Sequence, residues 1–554
     1  MQTSYLRLLR QAISVLREDQ TRPHVPHMID TVLTLLQTVQ HCLNRRTEIQ
    51  PHTLTPLKAL RALALSTLTH VFNSFPKEDL TSHQDRVYQI GIDPNVINLP
   101  SESLQSSSPL LLFIESCATH RLSWLQHTCN DKHVLEYTVS LLHGKGVVSN
   151  VISKVLTIIT CVLDHGQSGQ TLLLPHLHPV VQYIHQSLLS LKKTKKKKVA
   201  TVSSKKTLKQ ELYLLSRIAC LITEIPHVQV QLSCDALIST LVHVLNEQIV
   251  RKSADIVNAV NTVGQLLFYL KNSDHADYPS LLDTCYKMCC TLLGENNDRY
   301  ARQSLCKLLE NTGHPSASIL QQLHAWNPKV LDEPDFDARL QGYRDMSQIL
   351  CPDVSELELR LSPCLNTALY TVFTSEEMAL RDSASNAVVL AVDYVKSSND
   401  SRMYAFVVEE HLVKFIQSGL RNPAEVFQRE AILLLHKVVQ SFPEHTPWNH
   451  LAPLADSDPE IDFFNNITHI QTHRRTRAVA RMSGCLAEAS VNAMWSFLLP
   501  ILTPIFSLVG LVLEILTVRN RVCNFVHFLI LQHSNLSRRS VLSIFSPGSF
   551  NVIK

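Results

Sequence analysis

The segment RDSASNAVVLAVDYV, from Arg381 to Val395, decides the fold because it carries apolar side chains at helical spacing behind a polar opening. Forty-eight residues later, Arg429-Glu430-Ala431-Ile432 opens a second apolar helix that runs to Val439. A further 48 residues bring Arg477-Ala478-Val479-Ala480, and Asn422-Pro423 marks a turn between helices. HEAT and armadillo repeats have periods of roughly 40–47 residues. The spacing therefore predicts stacked pairs of helices, each burying its apolar face against its neighbours.

The same helical periodicity extends through the rest of the chain. Three further stretches place apolar residues on one helix face: Met28, Val32, Leu35, Leu36, Val39 and Leu43; Val148, Val151, Val155, Ile158, Ile159 and Val162; and Leu237, Leu241, Val244, Leu245 and Ile249. Only 13 of the 554 residues are glycine, which is too few for the turns of all-β, dinucleotide-binding or P-loop folds. We therefore predict an all-α fold, an α-solenoid of HEAT/armadillo-like antiparallel helix pairs.

The charge and cysteine content narrow the class of protein further. Lysine and arginine total 51 against 48 acidic residues, so any basic function must be local. The 14 cysteines are scattered through apolar helical stretches, and the first ten residues show no secretory signal. This usage indicates a reducing compartment in which cysteine acts as a small buried apolar residue.

A lysine-rich segment divides the chain. We expect helical repeats over 1–190, a solvated linker over 191–210, HEAT-like repeats over 211–506, and an atypical apolar and basic tail over 507–554. The linker holds a basic patch that fits either a nuclear localisation signal or a nucleic-acid contact, with a merely solvated loop as the alternative. Its residues are Lys192, Lys193, Lys195, Lys196, Lys197, Lys198, Lys205 and Lys206.

The run from Ala489 to Leu513 contains 25 uncharged residues, which exceeds the ~20 needed to cross a bilayer. Pro500 and Pro504 interrupt it. We favour a buried helix pair of the solenoid. A true membrane span and a tail that is not native coding sequence are the alternatives.

No catalytic or metal-binding motif stands out. His469 and His473 lie one helical turn apart, but Ile470 occupies the position at which zinc proteases need glutamate. Cys285, Cys289 and Cys290 share one predicted helix, where a core role is the simpler interpretation. We expect no enzyme activity, no catalytic residue, no cofactor and no metal.

An acidic segment followed by arginines is the candidate binding site. Four acids between Asp456 and Asp462 precede a predicted helix, which Asp462 or Asn465 could cap. The helix would bury Phe463, Phe464, Ile467 and Ile470. The arginines at its far end either pair with nearby acids or bind RNA phosphates or a partner: Arg474, Arg475, Arg477 and Arg481.

The string DPEIDFFNNITHIQTHRRTRA, residues 458–478, resembles the signature of the "down-regulated in metastasis" family of large nucleolar HEAT-repeat proteins. The stretch from Ala325 to Leu340 is similar to the same family, and the similarity covers roughly 320–505. Its members are several times longer, so the chain is expected to be a fragment.

The resemblance implies a non-catalytic scaffold of the small-subunit processome that supports pre-rRNA processing and 18S rRNA maturation. Implied partners are pre-rRNA, a box C/D snoRNA-protein complex and other ribosome assembly factors, in the nucleolus and nucleus. No small-molecule substrate and no membrane association are expected. The alternative is a HEAT-type protein-binding scaffold or transport receptor without an RNA role.

Overall fold

A computed structural model describes residues 2–15, 18–45, 47–120, 122–126, 128–129, 132–193, 202–224, 234–247, 252–327, 329–330, 333–350, 356–485 and 493–502. The fold is all-α, as the periodicity predicts, and its helices are packed as HEAT/armadillo-like pairs. The described strands are the two-residue pair Thr128–Cys129 and Lys132–His133, which form one antiparallel ladder. The chain divides into two compact units, Met1–Met288 with Asp298–Ser304, and Cys289–Asn297 with Leu305–Lys554.

The helices of the first unit, in chain order, are α1 Gln2–Val15, α2 Glu18–Thr21, α3 Val25–Asn44, α4 Pro51–Ser74, α5 Gln84–Val87, α6 Asp93–Val96, α7 Leu99–Glu102, α8 Pro109–His120, α9 Val134–Ser140, α10 Ser149–Asp164, α11 Gln167–Leu173, α12 Leu177–Lys193, α13 Val202–Glu224, α14 Cys234–Asn246 and α15 Ser253–Asn272. The boundary between the units falls within α16 Tyr278–Glu295 and α17 Arg299–Asn311.

The second unit continues with α18 Ala317–Leu323, α19 Phe336–Ile349, α20 Leu357–Thr374, α21 Met378–Ser398, α22 Ser401–Tyr404, α23 Val413–Leu420, α24 Glu425–Ser441, α25 Phe463–Ile467 and α26 Thr472–Cys485. Among the described residues, the π-helical segments are Tyr88–Ile92, Ala405–Leu412 and Met494–Leu498. The short 3-10 helices are Arg22–His24, Thr81–His83, Leu122–Gln126, Leu141–His143, Leu174–His176, Trp448–His450 and Ala452–Leu454.

In the first unit, α4, α8, α10, α13 and α15 pack in succession, with α3, α12 and α14 packed beside them. Each successive pair also shares a polar side-chain contact: Ser116 with Asn73, Lys154 with Glu115, Ser153 with Gln210, and Thr223 with Gln265. The apolar faces between the helices form the core, in which each buried leucine or isoleucine contributes about 1.5–3 kcal/mol.

In the second unit, α21 packs against α19, α20 and α24, and α23 packs against α24. Short connections link α20 to α21 and α23 to α24, so each forms an antiparallel pair. Leu365, Val388 and Leu435 are fully buried between these helices. The second unit is therefore built from antiparallel helix pairs that pack against one another.

The arginines spaced by 48 residues all lie in the first two turns of a helix, on α21, α24 and α26. Their environments nevertheless differ. Arg381 is buried and faces Glu430, Arg429 is exposed, and Arg477 faces Glu460. The spacing therefore marks where second helices begin, without giving the three side chains one shared role.

Two features differ from the sequence-based expectations. Val148, expected on the buried face of its stretch, is exposed ahead of α10. Helix occupies Lys192, Lys193 and 202–209, which we assigned to a loop, because α12 and α13 extend into the lysine-rich segment. Residues 194–201, in its centre, lie outside the described residues.

Only part of the apolar run 489–513 can be described. Residues 493–502 are helical and pack into the second unit, where the Phe497 ring lies 5.2 Å from that of Trp448. Gln428 Nε2 also donates a hydrogen bond of 3.3 Å to the Pro500 carbonyl. Among the described helices, none has the length and apolarity of a membrane span. Residues 503–554, and with them the expected tail, lie outside the described residues.

Candidate RNA and partner interface

The acidic segment folds as a turn that ends in the N-cap of α25. The side chain of Asp462 accepts a hydrogen bond of 2.7 Å from the Asn465 amide, as the sequence suggests. Asp456 Oδ1 accepts from the Asp458 amide at 3.1 Å, and Asp458 Oδ1 accepts from the Glu460 amide at 2.9 Å. Asn466 closes the turn by donating to the Pro459 carbonyl at 2.7 Å. The acids therefore shape the backbone before they meet any partner.

Asp462 is the anchor of this turn and is fully buried. Its Oδ2 atom accepts a hydrogen bond of 2.9 Å from the Asp456 amide and lies 3.1 Å from His436 Nε2 on α24. Burial alone would raise the pKa of this carboxyl. The bonds from His436, Asn465 and Asp456 to the ionised form outweigh that effect and hold the pKa below its usual range.

The helix expected to run on from Phe463 stops at Ile467, and α26 begins at Thr472. Phe463, Phe464 and Ile467 are buried as expected. The expectation for Ile470 is wrong, because it lies in the connection between the two helices and its side chain is 92% exposed. Arg474, Arg475 and Arg477 therefore lie near the beginning of a second helix, where the helix dipole disfavours positive charge, whereas Arg481 lies in its third turn.

The turn offsets this unfavourable placement. Arg474 Nη2 forms an ion pair with Glu460 Oε1, and Arg477 Nη1 lies 3.7 Å from Glu460 Oε2. Arg477 also donates to the Glu460 carbonyl at 3.3 Å. One carboxylate thus faces two of the predicted arginines. Of the two roles that the sequence allows for these arginines, pairing with nearby acids and binding of phosphate, the structure shows the first for Arg474 and Arg477.

Arg481 holds the turn most extensively. Its guanidinium donates to the carbonyls of Pro453 at 3.1 Å, Ala455 at 3.3 Å and Ile461 at 3.2 Å, and to Asp456 Oδ2 at 3.0 Å. The Arg481 bond helps to lower the pKa of the Asp456 carboxyl, after the bond from the Asp458 amide. A planar group with five N–H donors is suited to such a fan of acceptors. The guanidinium of Arg481 therefore stabilises the fold of the turn.

Arg475 differs from the other three. Its Nη2 atom lies 3.5 Å from Thr472 Oγ1, and within the described residues it makes no ion pair with an acid. Its side chain is half-buried, whereas Arg477 is exposed. Arg475 and Arg477 are accordingly the two arginines with the most capacity for an external anion.

The lysine patch is only partly described. Lys192 and Lys193 belong to α12, and Lys205 and Lys206 belong to α13. Residues 195–198, the dense part of the patch, lie outside the described residues.

Cys285, Cys289 and Cys290 lie on α16, His469 lies in the connection after α25, and His473 lies on α26. Within the described ranges, no three His, Cys, Asp or Glu side chains are placed to hold a metal ion. Cys285 and Cys289 are buried, and burial raises the pKa of the Cys285 thiol to about 12.

Sequence inspection missed one polar network, because Ser362 lies 49 and 72 residues from the two side chains that it contacts. Ser362 Oγ lies 3.1 Å from His411 Nε2 and 3.3 Å from Cys290 Sγ, while His411 Nδ1 contacts the Phe406 carbonyl at 2.8 Å. Burial lowers the pKa of His411 and raises that of Cys290 to about 11. The lowered pKa makes the His411 ring a weaker base, and the raised pKa makes the Cys290 thiol a weaker nucleophile. We therefore interpret the network as hydrogen bonding of polar groups inside the second unit.

Sequence comparison identifies the family. Residues 1–424 match the family described as "U3 small nucleolar RNA-associated protein 20, N-terminal". The chain belongs to this family. The match includes residues 1–320, for which the sequence offers no recognisable signature.

Two curated relatives carry the name U3 small nucleolar RNA-associated protein 20. The relative from Saccharomyces cerevisiae is 24% identical over 519 residues, which are 90% of this chain and 20% of the relative. The relative from Schizosaccharomyces pombe is 29% identical over 180 residues, which are 32% of this chain and 7% of the relative. The chain thus spans about a fifth of the length of the budding-yeast relative.

Proposed function

We propose that this chain is a non-catalytic scaffold of the small-subunit processome that supports pre-rRNA processing and 18S rRNA maturation. The observation that carries the proposal is the family match over residues 1–424, since both curated relatives are named for association with U3 small nucleolar RNA. Stacked helix pairs suit this role because they present long surfaces on a continuous core.

The finer identity and the partners follow from the same reasoning. We infer that the signature shared with the "down-regulated in metastasis" family marks the same group of proteins. The partners are then pre-rRNA, a box C/D snoRNA-protein complex and other assembly factors, and the location is the nucleolus and nucleus.

The test is co-purification from cells that express the tagged chain. We expect U3 RNA and precursor rRNA in the eluate, sedimentation with large particles, and a nucleolar signal by microscopy. Recovery of soluble cargo proteins without either RNA would contradict the proposal and favour a transport receptor. Because phosphate contacts are salt-sensitive, the purification is done at a fixed, moderate salt concentration.

For the arginines, the proposal is narrower than the sequence suggests. Arg475 and Arg477 contact RNA phosphate or an acidic partner, whereas Arg474 and Arg481 hold the acidic turn. The support is that Arg481 donates to three carbonyls and one carboxylate, while Arg475 has no acidic partner in the described part of the chain.

Crosslinking to RNA separates these roles. The double variant Arg475→Gln/Arg477→Gln should lose crosslinked RNA and lower the salt slope of binding by about 0.7 per lost phosphate contact, without unfolding. Arg429→Gln is the matched control, since it removes an exposed arginine from α24. An unchanged crosslink in the double variant, or an equal loss in the control, would contradict the assignment.

The lysine-rich segment 191–210 is proposed as a linker that carries a nuclear import signal. Replacing the lysines at 195–198 with glutamine should shift the chain toward the cytoplasm while its helical content stays the same. A nuclear signal unchanged by these replacements would contradict this role.

A further inference from the structure

Three helices of the second unit each expose a large apolar side chain at their beginning. Phe336 is the first residue of α19, Met378 is the first of α21, and Val426 is the second of α24. Their exposed fractions are 37%, 67% and 49%. We call these three residues the apolar edge. Scattered apolar residues are normal on a protein surface, but a recurrence at one position of successive helices is a pattern.

The helices place these residues along the same edge. Arg381 Nε lies 3.6 Å from Glu430 Oε1 near the beginning of both α21 and α24. Farther along the same two helices, Lys437 Nζ lies 2.6 Å from Asp393 Oδ1. The two helices therefore run in the same direction.

The two ends of α18 meet α20 in the same order, since Ser316 contacts the Arg360 carbonyl and His324 contacts Thr367, so α18 runs parallel to α20. α19 folds back on α18, where Arg339 donates to the Ala325 carbonyl, so α19 runs antiparallel to α20 and in the direction of α21, which it contacts.

Carboxylates flank the apolar edge. Five exposed acids lie at the beginnings of the same helices: Glu333, Asp337, Glu376, Glu377 and Glu425. Within the described part of the chain, none of the five forms an ion pair. Exposed cations near these helix beginnings include Arg421 and Arg429 on the α24 side and Lys329 ahead of α19, and the five acids outnumber them. Helix dipoles favour acids at these positions, but they give no reason for the exposed apolar side chains between them.

We propose that the apolar edge binds a basic segment of a partner protein whose apolar side chains recur about every 10 Å. Packed helices lie about 8–10 Å apart, and a segment in the polyproline II conformation has three residues per turn and advances about 3.1 Å per residue. An apolar residue at every third position of such a segment therefore lies on one face, about 9 Å from the next, and meets successive helices, while the lysines between them meet the carboxylates. RNA is disfavoured at this edge because the same carboxylates repel phosphate.

The test uses the purified full chain and a fluorescent peptide of repeated Lys-Lys-Leu, read by anisotropy, so its outcome does not depend on U3 association. The double variant Met378→Ser/Val426→Ser should bind this peptide about tenfold more weakly, because it removes two apolar contacts. The matched control is Leu390→Ser, which removes a side chain that is 40% exposed in the middle of α21. It should bind as the unaltered chain does.

Two peptide controls separate apolar from charge recognition. Lys-Lys-Ser repeats should bind the unaltered chain weakly, and Glu-Glu-Leu repeats should not bind. Equal affinity of the double variant and the unaltered chain would overturn the proposal, as would an equal loss in Leu390→Ser. A single-stranded RNA whose binding weakens in the double variant would assign the edge to nucleic acid and overturn it as well. Circular dichroism confirms that each variant remains helical.

Discussion

Replacement of Asp462 by asparagine tests whether the acidic turn is built from its buried carboxylate. Asparagine caps a helix about as well as aspartate, so the bond from the Asn465 amide is kept. The amide NH2 that replaces Oδ2 cannot accept the bond from the Asp456 amide, and the carboxylate that lies 3.1 Å from His436 Nε2 is lost. Since the residue is fully buried, water does not replace the lost acceptor.

The expected cost is about 1–3 kcal/mol, the cost of one buried donor, the Asp456 amide, left without an acceptor. Hydrogen exchange of the segment 453–467 reads this cost locally, and 1–3 kcal/mol corresponds to about 5- to 150-fold faster exchange.

Asp458→Asn is the control, because Asp458 is exposed in the same turn and its Oδ1 acceptor for the Glu460 amide is kept. Its exchange should change by less than about 0.5 kcal/mol. The reasoning is refuted if Asp462→Asn exchanges at the rate of the unaltered chain, or if both variants accelerate equally.

Three further outcomes are expected. Because the folded pKa of Asp462 is depressed, its stabilisation is present above the unfolded value of about 3.9 and is lost as the pH falls through the folded value. Protection of 453–467 should therefore decline in that window more in the unaltered chain than in Asp462→Asn, where Asp456, whose pKa is also lowered, still contributes; equal declines would contradict this. Gly419→Ala should lower the free energy of unfolding in urea by about 1–3 kcal/mol, since the new Cβ would lie 2.5 Å from Phe373 Cε1. Gly91→Ala is the control and should be tolerated, because the nearest neighbour of its Cβ would be at 3.6 Å. Equal urea midpoints for the two variants would contradict the close packing at Gly419. Burial raises the pKa of the Cys364 thiol to about 12, so mass spectrometry should find it unmodified by iodoacetamide at pH 8 until the chain unfolds; rapid modification of the folded protein would contradict its burial.

The helical fold was predictable because burial follows the apolar period. Val151, Val155 and Val162 are all fully buried on one face of α10, and Leu237 and Leu241 are buried on α14. A periodic pattern of this length states which face meets the core. It does not state where a helix stops when the apolar residues continue past its end.

The candidate site shows that limit. The sequence identifies Asp462 as a cap because a short acid before an apolar run has a local role. It does not show that Ile470 leaves the core, because α25 ends at Ile467 while the apolar pattern continues, and the contact of Arg474 with Glu460 joins residues 14 positions apart. The roles of the arginines could not be predicted from the sequence either, since Arg481 donates hydrogen bonds to carbonyls 20 to 28 residues away.

The contact of Arg381 with Glu430 has an evolutionary consequence. Both side chains are largely enclosed between α21 and α24, and Arg381 also donates to the Ser375 carbonyl. Burial raises the pKa of Glu430, and Arg381 opposes that shift. A neutral residue at position 381 would therefore leave a largely buried carboxylate without its cationic partner. Positions 381 and 430 should consequently covary, so that a substitution at one is accompanied in the same lineage by a substitution at the other.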